Sequence, residues 1–143
     1  MLKKIAALAA LGVFCVFAVA QTKPPDYTVK DGIAEWRSPD KTIDQVWSAV
    51  QRVLMRIGYR TKTADKAGGV LEAICNYSSS GFWASQVNVK EDELSAISII
   101  FNAHDGITEL SVRWRFGLGG PRSQKWLQKD YKIFFDDLAE YLK

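Results

Sequence analysis

Ile43, Val46, Trp47, Val50, Val53, Leu54 and Ile57 recur at spacings of three and four, which puts one apolar stripe on an α-helix. Thr42 with Gln45 three residues later forms a capping box, in which each side chain satisfies an orphan amide at the helix start. Gly58 supplies the left-handed residue that ends the helix. Beyond it the period drops to two. Residues 59–64 set Tyr59, Thr61 and Thr63 against Arg60 and Lys62, and residues 70–77 follow after Gly68-Gly69, a pattern that predicts a β-hairpin. Residues 82–89 and 94–103 predict a second strand pair, turning through Glu91-Asp92-Glu93. Asp105-Gly106 then predicts a tight hairpin turn, because both its central positions need positive φ. In the strand that follows, Leu110, Val112, Trp114 and Phe116 alternate with Ser111, Arg113 and Arg115, so one face is buried and the other wet. Residues 123–143 predict a second helix, with Leu127, Tyr131, Phe134, Phe135, Leu138 and Leu142 on its stripe. A short strand at 29–36, broken by Ser38-Pro39-Asp40, precedes everything. The order is β-α-β-β-β-β-β-α, an α+β fold of two layers: an antiparallel meander covered on one face by two amphipathic helices.

The first twenty residues stand apart from this pattern. A basic start, MLKK, leads into an apolar run from Ile5 to Val19, and Ala18-Val19-Ala20 offers the small residues of a cleavage site before Gln21. This reads as a secretory signal peptide over residues 1–20, its apolar run falling short of the ~20 residues of a spanning helix. Kept uncleaved, it would be the chain's one route to membrane association. Phe14 precedes Cys15 where a lipoprotein signal takes a small residue, so lipidation is not expected. Residues 21–28, with Pro24-Pro25, read as an extended linker, and residues 29–143 as a single domain.

Cleavage alters the charge balance and the cysteine count. The chain holds 19 Lys+Arg and 16 Asp+Glu, and loss of Lys3 and Lys4 leaves the mature protein with a net charge of about +1. That small excess removes the main support for nucleic-acid binding. Cys75 becomes the lone cysteine, which excludes an intramolecular disulfide in an exported domain. With 48% hydrophobic and 12% aromatic residues the fold rests on its core instead.

Candidate chemistry is sparse. His104, the single histidine, sits beside Asp105-Gly106 and reads as an exposed turn residue. Without a second histidine or a metal-ligand set, no metal and no cofactor are expected. Cys75 alternates with Leu71 and Ala73, which predicts a buried inert thiol. Asn76-Tyr77-Ser78 matches a glycosylation sequon. The acids Glu91, Asp92 and Glu93 lack the spacing of a calcium loop. Gly117 to Arg122 could offer free amides to an anion, yet it lacks the third glycine of a dinucleotide fingerprint and the Gly-Lys-Ser/Thr of a P-loop. Gly68-Gly69 is followed by a strand, so it reads as a turn and not as a phosphate cradle. No nucleophile, base and orienting group can be assembled from this inventory, and the chain is read as non-enzymatic.

Charge is segregated along the chain. Residues 91–112 hold five acids and no Lys or Arg, whereas residues 113–132 hold six bases and one acid. Arg113 and Arg115 on the open sheet face, beside Arg60 and Lys62, would make a basic stripe. Such a stripe suits an envelope protein or another anionic surface. The alternative reading is a wet sheet face whose long side chains cover the strands.

The stretch TIDQVWSAVQRVLMRIGYRTKTADKAGGVLEA, with Val-Trp-x-Ala-Val, then Leu-x-x-x-Gly-Tyr, then Asp-Lys-x-x-Gly-x-Leu-x-Ala, is similar to small bacterial envelope domains. Those of the C-subunit lipoprotein of the outer-membrane β-barrel assembly machine are an example. The resemblance implies a helix-grip domain, a non-enzymatic role and a periplasmic or cell-envelope setting. The expected function is therefore that of an exported, periplasmic or secreted binding or accessory module. The alternative is a small-ligand carrier, with an apolar pocket between the last helix and the sheet lined by Trp114, Phe116 and Phe134.

Overall fold

The computed structural model describes residues 27–75, 94–117 and 124–143. Its elements run β1 (Tyr27–Lys30), β2 (Ile33–Ser38), α1 (Ile43–Arg56), β3 (Tyr59–Asp65), β4 (Val70–Cys75), β5 (Ala96–His104), β6 (Ile107–Arg115) and α2 (Gln124–Tyr141). The strands form one six-stranded antiparallel sheet in the order β1-β2-β6-β5-β4-β3. The fold is the two-layer α+β arrangement expected from the sequence, with both helices on one face of the sheet. β3 to β6 are the meander, and the first two strands join it through β6.

The stretch at 29–36, predicted as one strand, is a hairpin. Asp31 and Gly32 both hold positive φ, 52° and 75°, and reverse the chain between β1 and β2. β1 begins at Tyr27, within the stretch read as linker. The predicted strand at 82–89, the acidic turn before residue 94 and the sequon lie outside the described residues, and β4 pairs directly with β5.

The capping box forms as predicted, with Thr42 accepting from the Gln45 amide and Gln45 Oε1 accepting from the Thr42 amide. Gly58 follows α1 at φ 85°. The helix buries Val46, Trp47, Ala49, Val50, Val53 and Leu54. From α2, Tyr131, Phe134, Phe135 and Leu138 are fully buried against the same sheet face, where they meet Ala34, Trp36, Leu71, Ala73, Ile97, Ile99, Phe101, Leu110 and Val112. Each residue on this face adds roughly 1.5–3 kcal/mol of apolar burial for a large side chain. Arg56, on the last turn of α1, reaches Asp137 and Glu140 on α2 and joins the two helices where they are solvated. Thr108 Oγ1 donates to the Lys41 carbonyl, which ties the β2–α1 connection to β6.

Candidate functional site: the open sheet face

Cross-strand register fixes which side chains share the face turned away from the helices, since directly opposed residues point to the same side. One row across the sheet reads Arg115, Ala96, Ile74, Arg60. The next, two residues along β4, β5 and β6 and three along β3, reads Lys30, Ile33, Arg113, Ser98, Glu72, Thr63. The third reads Thr28, Glu35, Ser111, Ile100, Val70, Asp65. Arginine therefore closes the first row at both ends, and the third row carries a carboxylate at its β3 end and another on β2, next to Thr28. Arg115 and Arg60 stand three strand spacings apart, about 14 Å, and the basic and acidic rows are separated by a similar distance.

A strip along β4 and β5 carries apolar residues on this face, Ile74, Ala96, Ile100 and Val70, interrupted by Ser98 and Glu72. Ile74 and Ala96 are buried, yet they lie on the open side and outside the helix-side core. Ile100 in the third row is 48% exposed. At the far end of the face, Arg37 pairs with Glu109 at 2.9 Å, so that arginine is balanced by its neighbour. Ile100 is the apolar side chain of the strip most open to solvent, while Ile74 and Ala96 are already covered; the exposed Arg60, Arg113 and Arg115 and the exposed Glu35 and Asp65 stand around it, and charges so placed set orientation in a contact.

Arg60, Arg113 and Arg115 are exposed on this face, as expected from the alternation of their strands. Lys62 is also exposed but stands differently. β3 carries a register shift between Thr61 and Thr63, which makes Lys62 the inserted residue of a bulge, outside the ladder rows that hold the arginines. Simple alternation placed it beside Arg60. An inserted residue has no periodic trace in the sequence, so the bulge was invisible there. The apolar strip did leave a trace, because Ile99 and Ile100 are consecutive and cannot both face the helices.

Other candidate groups are held in structural roles. His104 is exposed at the β5–β6 turn, with Nε2 at 2.9 Å from Asp105 Oδ2. Cys75 is half-buried opposite Tyr59 on the helix side of the sheet. Trp114, Phe134 and Tyr131 pack ring on ring, with centroids of Trp114 and Tyr131 5.7 Å apart and of Trp114 and Phe134 6.4 Å apart. Trp114 Nε1 donates to the Tyr59 hydroxyl at 2.9 Å. Phe116 is half-buried beyond the end of β6. The Tyr131 hydroxyl reaches the carbonyls of Gly32 and Val112 at 2.7 and 3.0 Å. Burial raises its pKa, which keeps the proton that this donation requires. Among the described residues no three His, Cys, Asp or Glu side chains gather as a metal site. No helix among them is long and apolar enough to cross a membrane.

No family model and no curated protein matches the chain. Among solved structures, it is similar to a DUF4468 family protein from Bacteroides ovatus at 12% identity, over 81% of this chain and 90% of that one, with a TM-score of 0.37. It is also similar to Ara h 8.0201 at 16% identity, over 77% of this chain and 95% of that one, with a TM-score of 0.35.

Proposed function

We propose that the chain is an exported, non-enzymatic cell-envelope domain that works by contact, presenting its open sheet face to an envelope protein. The observation that carries this reading is the row Arg115, Ala96, Ile74, Arg60, with Arg113 one row along and Ile100 beyond it. Arg115 and Arg60 are exposed at the two ends of that row, Arg113 is exposed beside it, and Ile100 supplies the exposed apolar surface, whereas Ala96 and Ile74 at the row's centre are buried. A partner complementary to it carries acidic groups over the arginine row and basic groups over Glu35 and Asp65. The signal-peptide pattern of the first twenty residues and the resemblance of residues 42–73 to bacterial envelope domains support the setting. Protein recovered from its native envelope is expected to begin at Gln21 on N-terminal sequencing, and a start at Met1 would place it on the membrane as an anchored form.

Reversal of Arg113 and Arg115 to glutamate is expected to lower capture of the native partner at least tenfold in quantitative pull-downs. The far-ultraviolet circular dichroism should stay that of the native fold, because both side chains are exposed on the sheet and outside its helix-side core. Ile100→Ser is expected to weaken capture as well, with a stability change within about 0.5 kcal/mol, as is usual for a surface substitution. Undiminished capture by both variants would remove the open face from the account.

A further inference from the structure

The two edges of the sheet are built differently. β3 carries the register shift at Lys62 and exposes every side chain from Arg60 to Asp65, and a bulge that bears a lysine discourages a further strand. β1 pairs with β2 in unbroken register and lies outermost among the described strands. Its turn is the two residues Asp31 and Gly32, so Lys30 and Ile33 are the hydrogen-bonded pair beside the turn. Alternation then directs the amides and carbonyls of Val29 and Tyr27 away from β2.

α2 runs alongside this edge, and Tyr27, Val29, Gln128, Lys129 and Lys132 line a groove between them. The floor is apolar and firm: the Tyr27 ring stacks on the buried Phe135 with centroids 4.4 Å apart. The wall carries Lys129 and Lys132, with Lys125 one turn before Lys129 on the same exposed stripe, and Lys132 pairs with Asp136. Tyr131, on the same helix, donates to the Gly32 carbonyl and fixes the wall to the turn of the edge strand.

We propose that this groove takes an extended acidic segment of a partner polypeptide, which adds to β1 as a further strand and lays its acidic side chains against Lys129 and Lys132. Main-chain hydrogen bonds to an exposed edge supply affinity in this mode of recognition, and the wall supplies selectivity. Four residues of β1 span only about 13 Å, so the ladder is short and the lysine wall contributes a large share. The groove is separate from the arginine row of the open face, and its occupancy does not depend on that surface.

The test is fluorescence anisotropy of a labelled ten-residue peptide of alternating valine and aspartate, titrated with the purified protein. Saturable binding is expected, with affinity at least tenfold lower for the Lys129→Glu, Lys132→Glu variant. N-methylation of the peptide amides that face β1 should abolish binding, and NMR amide shifts should concentrate on residues 27–30. Arg113→Glu with Arg115→Glu should leave peptide affinity unchanged, which separates this outcome from that of the open-face reading. Absence of saturable binding, equal binding by the N-methylated peptide or by an alternating valine–lysine peptide, or shifts centred on β3 would each overturn the proposal.

Discussion

Replacement of Gly69 by alanine is expected to destabilise the domain by about 2–3 kcal/mol, although it adds one methyl group. Gly69 holds φ +67°, and a Cβ there would sit on the Phe101 carbonyl oxygen, well inside contact distance. The left-handed conformation costs an L-residue about 1–2 kcal/mol. Relief of the clash would separate the start of β4 from β5, where the Phe101 amide donates to the Gly69 carbonyl at 2.8 Å, a bond worth about 1 kcal/mol. For a domain of this size the sum lowers the melting temperature by roughly 10 °C. Gly32 and Gly106 provide internal controls, because each has positive φ with open space where a Cβ would go. Alanine at either should cost only the conformational part. At Gly68 a Cβ meets the flexible Asp65 carboxylate instead, so a rotation can relieve it. Equal melting temperatures for the Gly69 and Gly106 variants would show that β4 and β5 do not meet as described.

Phe134→Ala is expected to cost about 3–5 kcal/mol, the range for loss of a fully buried aromatic ring. Phe134 is fully buried, with the Phe135 ring centroid 5.1 Å away and that of Trp114 at 6.4 Å. Both are rigid neighbours that collapse poorly into the space left behind. With about 5–15 kcal/mol as the whole stability of a domain, the urea midpoint should fall by roughly 2 M. Tyr131→Phe isolates the polar part of the same contact: it keeps the ring, removes the donor to Gly32 and Val112, and should cost about 1–2 kcal/mol. A midpoint unchanged in Phe134→Ala would mean that α2 does not seal the sheet.

The architecture was legible because both helices repeat their apolar residues at the helical period: the central residues of each stripe are buried and its end residues, Ile43, Ile57, Leu127 and Leu142, pack partly buried against the core. Gly68-Gly69 was legible as a turn but not as a contact: its constraint comes from Phe101, some thirty residues away in sequence, and no local pattern carries that information. The β1–β2 hairpin was missed although Asp31-Gly32 repeats the signal read correctly at Asp105-Gly106, because four residues of β1 are too few to show a period of their own. Within the open face, Arg113 and Arg115 were readable from the alternation of β6. The alignment of Arg115 with Arg60 depends on register across three strand pairs, and the bulge at Lys62 is set by tertiary pairing alone. The double isoleucine at Ile99 and Ile100 was the visible sign that the wet face has an apolar strip.

A photo-crosslinking amino acid in place of Ile100, activated in the native envelope, tests the central claim most directly. Ile100 is 48% exposed on the open face, and Met55, 69% exposed on α1, serves as the control position. The account predicts a discrete crosslinked partner at position 100 that is absent at position 55 and disappears when Arg113 and Arg115 are reversed. Equal crosslinking at both positions, or a partner at position 100 that persists after the reversal, would contradict it.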